Sequence, residues 1–266
     1  MGNKSPASLR RIFATRPRAQ NAAWLSCLKS ATSGHFQVEA LPLLEIDGLS
    51  GAELAPAKAQ ILRLDEYTAL IFVSQNAAQY GAALIDQYWP QRPVRQRWVA
   101  IGSATAACLQ TCLDSDIPLV TAPAMTTESL LEQPDIQTLD GTDKVLILRG
   151  RGGRNALAEG LRMRGVQVEY CELYARALPL ASVDLLRKSP PGAADVLPVF
   201  SGETLHNLVA LGELAAIVLD MGLTLVVPGQ RVAELAYSLG FERVSVADNA
   251  SQEAMLDAIM ALRLRP

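Results

Sequence analysis

Short apolar runs alternate along the chain with segments whose apolar residues recur at helical spacing. In the first helical segment, Ala22, Leu25 and Leu28 fall on one face. The apolar runs are continuous rather than alternating, which is typical of parallel strands covered by helices on both sheet faces. The pattern predicts an α/β fold of doubly wound parallel sheets. The predicted strands are 12–14, 36–39, 69–73, 98–101, 118–120, 145–148, 166–169, 196–200, 224–227 and 243–246.

This pattern occurs twice, with a spacing of about 126 residues. In each copy an apolar run ends in a small or polar residue and is followed by a helical segment. The matched segments are 71–74 with 197–201, 99–107 with 225–233, 126–131 with 251–256, 37–39 with 167–169, and 16–18 with 149–151. The repeat predicts two similar domains that face each other across a cleft, with the polar strand ends lining it.

The domain boundaries follow from two extended segments. Residues 40–46 and 170–176 each follow a Gln-Val-Glu strand and show no helical pattern. We therefore predict two linkers at these segments. Domain 1 is then discontinuous (1–39 and 177–266), and domain 2 (47–169) is inserted into it. A length of 266 residues accommodates two such domains. A simple tandem with one boundary near 139–141 is an alternative that periodicity leaves open.

Composition excludes several classes of protein. A net charge of −3 argues against nucleic acid as the main partner. The 4 cysteines form no CxxC pair and there are only 2 histidines, so neither a metal site nor a Ser–His–Asp triad is supported. Residues 1–8 do not resemble a secretory signal, and the most apolar stretch, 214–227, is interrupted by Asp220. We expect a cytoplasmic protein with reduced thiols and no membrane partner.

Residues suited to binding anions follow the predicted strands. Helix N-termini offer free N–H groups and a positive dipole, although the same side chains also serve as ordinary N-caps. The residues at such termini are Ser74, Asn76, Ser103, Thr105, Ser201 and Gly202. The chain also has 19 arginines against 5 lysines, a bias that suits an anionic small molecule but also arises from genome composition.

Four arginines lie in loops just after strands. At such positions the guanidinium fork can bind a carboxylate; the alternative is a basic turn exposed to solvent. They are Arg16, Arg149, Arg151 and Arg154. The glycine-bearing turn at 149–154 matches neither GxGxxG nor GxxxxGK[ST], so a dinucleotide or phosphate-loop site is not favoured.

Six short motifs occur in one order across nearly the whole chain: residues 14–17, 72–77, 100–105, 148–154, 172–174 and 201–202. Together they resemble the motifs of the uroporphyrinogen-III synthase family. The resemblance implies a bilobed protein with a discontinuous first domain, two linker strands and no cofactor. It further implies that linear hydroxymethylbilane is cyclised to uroporphyrinogen III, with ring D inverted and water lost, in tetrapyrrole (haem) biosynthesis.

The resemblance also implies site residues. Tyr174 is the candidate general acid, with its phenol facing the cleft; a half-buried aromatic that anchors the linker is the alternative role. Gly229 stands where family members often carry Ser or Thr, so a backbone N–H contact is expected there. The implied substrate contacts are Thr15, Arg16, Ser74, Asn76, Ser103, Thr105, Arg149, Gly150, Ser201, Gly202, Gly229 and Arg231.

We expect a monomer that binds a small-molecule substrate, hydroxymethylbilane, and receives it from the upstream bilane-forming deaminase. A two-lobed small-anion-binding or sensor protein without catalysis is the alternative function. A periplasmic-type solute-binding protein has the same architecture, but the missing signal peptide and the lack of aromatic residues at the strand ends argue against it.

Overall fold

The structure is a computed structural model that describes residues 10–32, 34, 36–91, 93–113, 117–122 and 126–262. Residues 1–8, discussed above for a signal sequence, lie outside the described residues, as does His35, one of the two histidines counted above. The chain divides into two compact units, with boundaries at Glu45/Ile46 and at Arg176/Ala177. We refer to residues 46–176 as the inserted unit and to the remaining chain as the terminal unit.

The strands are β1 (Arg11–Ala14), β2 (Gln37–Ala40), β3 (Glu45–Gly48), β4 (Ala69–Phe72), β5 (Arg97–Ala100), β6 (Leu119–Thr121), β7 (Lys144–Gly150), β8 (Gln167–Ala177), β9 (Val196–Pro198), β10 (Thr224–Val227) and β11 (Arg243–Val246). The α-helices are α1 (Arg18–Thr32), α2 (Gly51–Ile61), α3 (Gln75–Tyr88), α4 (Ser103–Leu113), α5 (Thr127–Leu131), α6 (Pro134–Gln137), α7 (Ala156–Arg162), α8 (Ala181–Lys188), α9 (Gly202–Ala215), α10 (Gln230–Ser238) and α11 (Gln252–Ala261).

The terminal unit is built on a sheet of order β11-β10-β9-β1-β2. All of its strand pairs with a described register are parallel. Helices α1 and α11 cover one face, where Trp24 and Ile259 are fully buried. Helices α8, α9 and α10 cover the other face. Both faces are therefore apolar, as the continuous apolar strands predict.

The inserted unit repeats this arrangement in a sheet of order β3-β8-β7-β4-β5-β6. Helices α2, α3 and α4 pack on one face, and α5, α6 and α7 pack on the other. The strand pairs with a described register are again parallel: β4 with β5, β4 with β7, β5 with β6, and β7 with β8. The predicted α/β class with two parallel sheets is confirmed.

Strand registers confirm the internal repeat. In the terminal unit Ile12 of β1 pairs with Val38 of β2 and with Val196 of β9. In the inserted unit Val145 of β7 pairs with Val168 of β8 and with Ala69 of β4. Strands β1, β2 and β9 therefore correspond to β7, β8 and β4, with the order in the chain permuted. By this register Arg16 is equivalent to Arg149.

The ten predicted strands all occur, and apart from the longer β8 their ends lie within about two residues of those expected. Strand β3 was missed, because it begins at the end of the segment predicted to be an extended linker and continues for two residues into the predicted domain 2. The second predicted linker is extended but is not separate from the sheet: residues 170–176 continue β8 without a break. Cys171, Leu173 and Tyr174 are at most 1% exposed there. We correct the linker at 170–176 accordingly.

The alternative boundary near residues 139–141 conflicts with the sheet. Strand β7 follows these residues and pairs with β4, which precedes them. We therefore predict that residues 46–176 fold cooperatively as an isolated fragment and that residues 1–139 do not, since the latter lack both β7 and β8. Thermal melting followed by circular dichroism checks this.

The fragment 47–169 is the matched control. It lacks the buried end of β8, so we expect a lower melting temperature than for 46–176. Equal stability of the two fragments, or cooperative melting of 1–139 alone, would contradict this division of the chain.

Equivalent charge pairs join β1 to β2 in the terminal unit and β7 to β8 in the inserted unit. Arg11 of β1 lies 3.8 Å from Glu39 of β2, and Lys144 of β7 lies 3.0 Å from Glu169 of β8. Tyr67 donates a further hydrogen bond of 2.9 Å to Glu169. Burial acts to raise the pKa of Glu169, but the hydrogen bonds from Lys144, Tyr67 and Gln60 outweigh it and hold the pKa below its ordinary value.

A lowered folded-state pKa means that ionised Glu169 stabilises the fold above its unfolded pKa of about 4.3, and that this stability is lost as the pH falls through the folded pKa. We predict that Glu169→Gln lowers the free energy of unfolding at neutral pH by about 1–2 kcal/mol and weakens its pH dependence below about pH 4.3. Denaturant titrations at several pH values measure both. Glu234→Gln, on the exposed side of α10, is the control; an equal effect there would contradict this role.

Candidate active site

The carboxyl ends of the parallel strands lie at one edge of each sheet, which we call the carboxyl edge. In α/β sheets this edge is where ligands bind, because the helices that follow the strands direct their N-termini there. At the carboxyl edge of the inserted unit, α3 begins directly after Ser74 and α4 begins at Ser103. At the carboxyl edge of the terminal unit, α9 begins after Ser201 and α10 after Gly229.

Ser74 and Ser201 occupy equivalent N-cap positions in the two units. Ser74 Oγ accepts a hydrogen bond of 3.1 Å from the backbone N–H of Ala77. Ser201 forms a capping box with Thr204, in which each side chain accepts from the other residue's backbone N–H. Both backbones are extended at the cap, so the capping role that the sequence allowed is present. Each hydroxyl also lies at the carboxyl edge.

Arg149 is buried, with only 4% of its surface exposed. Its guanidinium stacks on the Tyr170 ring at 4.4 Å and donates to Asn155 Oδ1 at 3.3 Å. Tyr170 also donates to Asn155 Oδ1, at 3.2 Å. Gly153 makes room for this arrangement, since a Cβ there would lie 2.5 Å from Arg149 Nη2. Within the described part of the chain Arg149 forms no ion pair, so no carboxylate of the protein balances its charge.

Arg16 shows the same features in the terminal unit. Its guanidinium lies 4.2 Å from the centroid of the Phe200 ring and 5.9 Å from that of Trp24. Arg16 Nε is buried and has no hydrogen-bond partner among the described residues. Burial lowers the pKa of Arg16, with Glu253 acting in the opposite direction. The guanidinium nevertheless stays charged at neutral pH, because arginine starts from so high a pKa.

Tyr174 differs from the sequence-based expectation. Its side chain is 1% exposed and packs in the core of the inserted unit, stacked on Tyr80 at a centroid distance of 5.7 Å. Its hydroxyl lies 2.9 Å from Ser74 Oγ. We therefore correct the expectation that the phenol faces a cleft. Its hydroxyl reaches the carboxyl edge only through Ser74.

A β-bulge explains the position of Tyr174. Arg149 of β7 pairs with Glu172, whereas the next residue, Gly150, pairs with Tyr174. The extra residue in β8 moves Tyr174 to the sheet face opposite Tyr170, although regular alternation would place the two on one face. Gly150 is required there, since a Cβ would lie 2.5 Å from the Tyr174 ring.

Two predicted hydroxyl contacts are buried instead. Thr15 is 1% exposed and donates its hydroxyl hydrogen to the carbonyl oxygen of Pro198, so it ties β1 to β9. Thr105 is 6% exposed on the inner side of α4. Both side chains are covered in this structure, and their contacts with a ligand stay predictions.

The remaining predicted residues lie at the carboxyl edges. Gly229 has a φ of 126° and a ψ of 167°, a conformation that only glycine adopts readily, which explains why no Ser or Thr stands there. Gly202 in the first turn of α9 and Asn76 in the first turn of α3 are half-buried. Ser103 in the first turn of α4 and Arg231 in the first turn of α10 are exposed. Arg151 lies 3.0 Å from Glu53 and therefore already has a carboxylate partner.

Sequence reasoning missed the residues that hold the arginines: Tyr170, Asn155 and Phe200. Phe200 could have been found, because it ends the apolar run that precedes Ser201, and its position corrects the expectation that aromatic residues are lacking at the strand ends. Among the described residues, no group of three or more His, Cys, Asp or Glu side chains is arranged to hold a metal ion. No described helix is long and apolar enough to cross a membrane.

Comparison with known proteins identifies the family. The family model described as Uroporphyrinogen-III synthase HemD matches residues 29–257. The chain belongs to the uroporphyrinogen-III synthase family. It is 33% identical to the Uroporphyrinogen-III synthase of Salmonella typhimurium strain LT2 over 253 residues, covering 93% of this chain and 99% of the relative. It is 31% identical to that of Escherichia coli K12 over 255 residues, with the same coverage.

Solved structures of uroporphyrinogen-III synthases share the fold. That of Helicobacter pylori 26695 superposes with a TM-score of 0.58 at 19% identity, covering 96% of this chain and all of the other. A mutant form from the extremely thermophilic bacterium Thermus thermophilus gives 0.56 at 14% identity, covering 96% and 98%. At these identities the likeness supports the architecture of the family and no individual contact.

If the free charge of Arg149 binds a carboxylate of a uroporphyrinogen-III synthase substrate, replacing its planar fork with an ammonium should weaken binding. We predict that Arg149→Lys raises KM for hydroxymethylbilane about tenfold, near the contribution of one charge-assisted hydrogen bond, and alters kcat less. Steady-state kinetics measures this. Arg243→Lys, at the amino edge of β11, is the control. An unchanged KM in folded Arg149→Lys would contradict the assignment.

Proposed function

We propose that this chain is a uroporphyrinogen-III synthase: a cofactor-independent lyase that cyclises hydroxymethylbilane to uroporphyrinogen III in haem biosynthesis. Membership of the family over nearly the whole chain is the observation that carries this proposal. The repeated carboxyl edges support it, since each presents helix N-termini and an arginine that forms no ion pair among the described residues. No specific observation favours the alternative of a binding or sensor protein without catalysis.

The substrate is a flexible linear tetrapyrrole with many carboxylates, which requires several anion contacts. Backbone N–H groups at the starts of α3, α4, α9 and α10 supply donors together with the positive ends of the helix dipoles. Arg16 and Arg149 supply one guanidinium in each unit. We propose that these groups at both carboxyl edges bind the carboxylates, with Ser74, Ser103, Ser201 and the N-terminus of α10 among the contacts.

The reaction needs positioning more than chemical activation. Loss of the ring A hydroxymethyl oxygen is driven by the electron-rich pyrrole and leaves an azafulvene. Attack through ring D then gives a spiro intermediate, which fragments and recloses with that ring inverted. The uncatalysed path closes directly to the type I isomer. The protein must therefore hold the bilane in the conformation that leads to inverted closure.

The hydroxyl pair of Tyr174 and Ser74 is suited to assist departure of the hydroxyl group. Among the described residues, the buried Tyr174 hydroxyl has Ser74 Oγ as its hydrogen-bond partner and no other. If Ser74 donated its hydrogen to Tyr174, the phenol hydrogen would be left buried without an acceptor, at a cost of about 1–3 kcal/mol. Tyr174 therefore donates. Ser74 Oγ then accepts from both Tyr174 and Ala77, which leaves its own hydrogen free to donate outward.

A double-mutant cycle tests this pair. We predict that Tyr174→Phe and Ser74→Ala each lower kcat severalfold, below the 10²–10⁴-fold range typical of general acid–base catalysis, because the pyrrole supplies most of the driving force. Their effects should not add, since both act through one hydrogen. Ser201→Ala, which removes the equivalent cap without a phenol partner, should leave kcat nearly unchanged.

Two outcomes would leave Tyr174 as a structural residue only. One is that the effects of the two substitutions on kcat add, and the other is that Tyr174→Phe lowers the melting temperature without altering kcat. Folding is monitored in each variant, because loss of an N-cap costs about 1 kcal/mol of stability.

The activity itself is tested by product analysis. The protein is incubated with hydroxymethylbilane, the products are oxidised, and the porphyrin isomers are separated. We predict predominantly type III with the protein and type I in its absence. Type I alone at saturating concentrations of folded protein would refute the proposed function.

We further propose that the protein is a cytoplasmic monomer that receives hydroxymethylbilane from the upstream deaminase, because a labile substrate benefits from a short path between enzymes. The same assay tests handover by comparing two sources of bilane, generation in situ by the deaminase and addition of free bilane at a matched rate. Handover would give a larger share of type III with the deaminase. Equal shares would argue for free diffusion, and sedimentation velocity would reveal association of the chain.

A further inference from the structure

Helix α4 carries two free thiols, Cys108 and Cys112, one turn apart on the same side of the helix. Cys108 is half-buried at the border of the core beside α3, and Cys112 is exposed. The other two cysteines have no such neighbour in sequence: Cys171 is buried in β8, and Cys27 lies on α1 of the terminal unit. The proposed reaction uses none of these thiols.

The two thiols are close enough to influence each other electrostatically. Cys108 Sγ donates to the carbonyl oxygen of Gln75 at 3.6 Å and also interacts with Cys112 and with Gln79. Burial, followed by the neighbouring Cys112, raises the pKa of Cys108 to about 11. Cys108 is therefore protonated at neutral pH, which disfavours ligands that require preformed thiolates.

Helical geometry disfavours a direct disulfide between these residues. Side chains four apart on a helix have Cβ atoms about 5–6 Å apart, whereas a disulfide requires about 3.5–4.5 Å. Closing an S–S bond would distort α4. A single atom bonded to both sulfurs spans a greater separation and leaves the helix intact. A structural zinc site normally has four protein ligands, and no cluster of three or more candidate ligands exists among the described residues.

We propose that Cys108 and Cys112 form a chelating site for trivalent arsenicals. In the binding step two As–O bonds of an arsonous acid, R–As(OH)₂, break and two As–S bonds form. Each thiol proton leaves with a hydroxide as water, so no electrons are transferred and no thiolate has to be present beforehand. A reaction that starts from the protonated thiol suits Cys108, which holds its proton at neutral pH.

Phenylarsine oxide is the probe, and intact-protein mass spectrometry with competition by thiols is the measurement. The full-length protein should bind a single equivalent that resists excess glutathione and is released by 1,2-ethanedithiol. Chelation by two linked groups typically strengthens binding 10²–10⁴-fold over one group. Cys108→Ser and Cys112→Ser should therefore each weaken binding at least about a hundredfold, whereas Cys27→Ser should bind as the unaltered protein does.

Cys112 is exposed, so Cys112→Ser provides the test even if Cys108→Ser fails to fold. Wild-type affinity in Cys112→Ser, or no retained arsenical on the unaltered protein, would overturn the proposal. Because binding is measured by mass and not by activity, the outcome is independent of whether the protein makes uroporphyrinogen III.

Discussion

Parallel pairing of the strands governs the placement of the functional groups in both units. It brings the strand ends to one edge of each sheet, where the following helices begin with unpaired N–H groups. The amino edges are joined by Arg11 with Glu39 and by Lys144 with Glu169. Opposite charges are thus paired at one edge. At the other edge, Arg16 and Arg149 form no ion pair among the described residues, although the charge of Glu253 acts on Arg16. This distribution of charge suits a ligand rich in carboxylates.

Keeping a guanidinium partly buried and unpaired is energetically costly, because its N–H groups lose water without gaining a full set of partners. Aromatic stacking recovers part of that cost: Arg149 lies on Tyr170 and Arg16 on Phe200. Gly153 leaves space that a Cβ would fill. The same solution occurs at equivalent positions of two sheets that differ in sequence. We propose that binding of substrate carboxylates accounts for this arrangement, since an apolar side chain could fill either position at a lower cost in stability.

Much of this organisation could be predicted from the sequence, because apolar runs, turn residues and the repeat are local signals. The parallel sheets and the matched strand ends followed from them. What could not be predicted depends on pairing between distant strands. The bulge opposite Arg149 and Gly150 turns Tyr174 into the core, and Thr15 is occupied by the Pro198 carbonyl on the neighbouring strand. Strand β3 is too short to be distinguished from an extended linker until it is paired.

The most direct test of the account maps the contacts of uroporphyrinogen III on the labelled protein by amide chemical shifts under anaerobic conditions. We predict perturbations at both carboxyl edges, around Ser74 and Ser103 in one unit and around Ser201 and Gln230 in the other. Amides at the amino edges, such as that of Lys144, should be unaffected. Perturbations confined to one unit, or found at an amino edge, would contradict the claim that the two equivalent edges bind the tetrapyrrole.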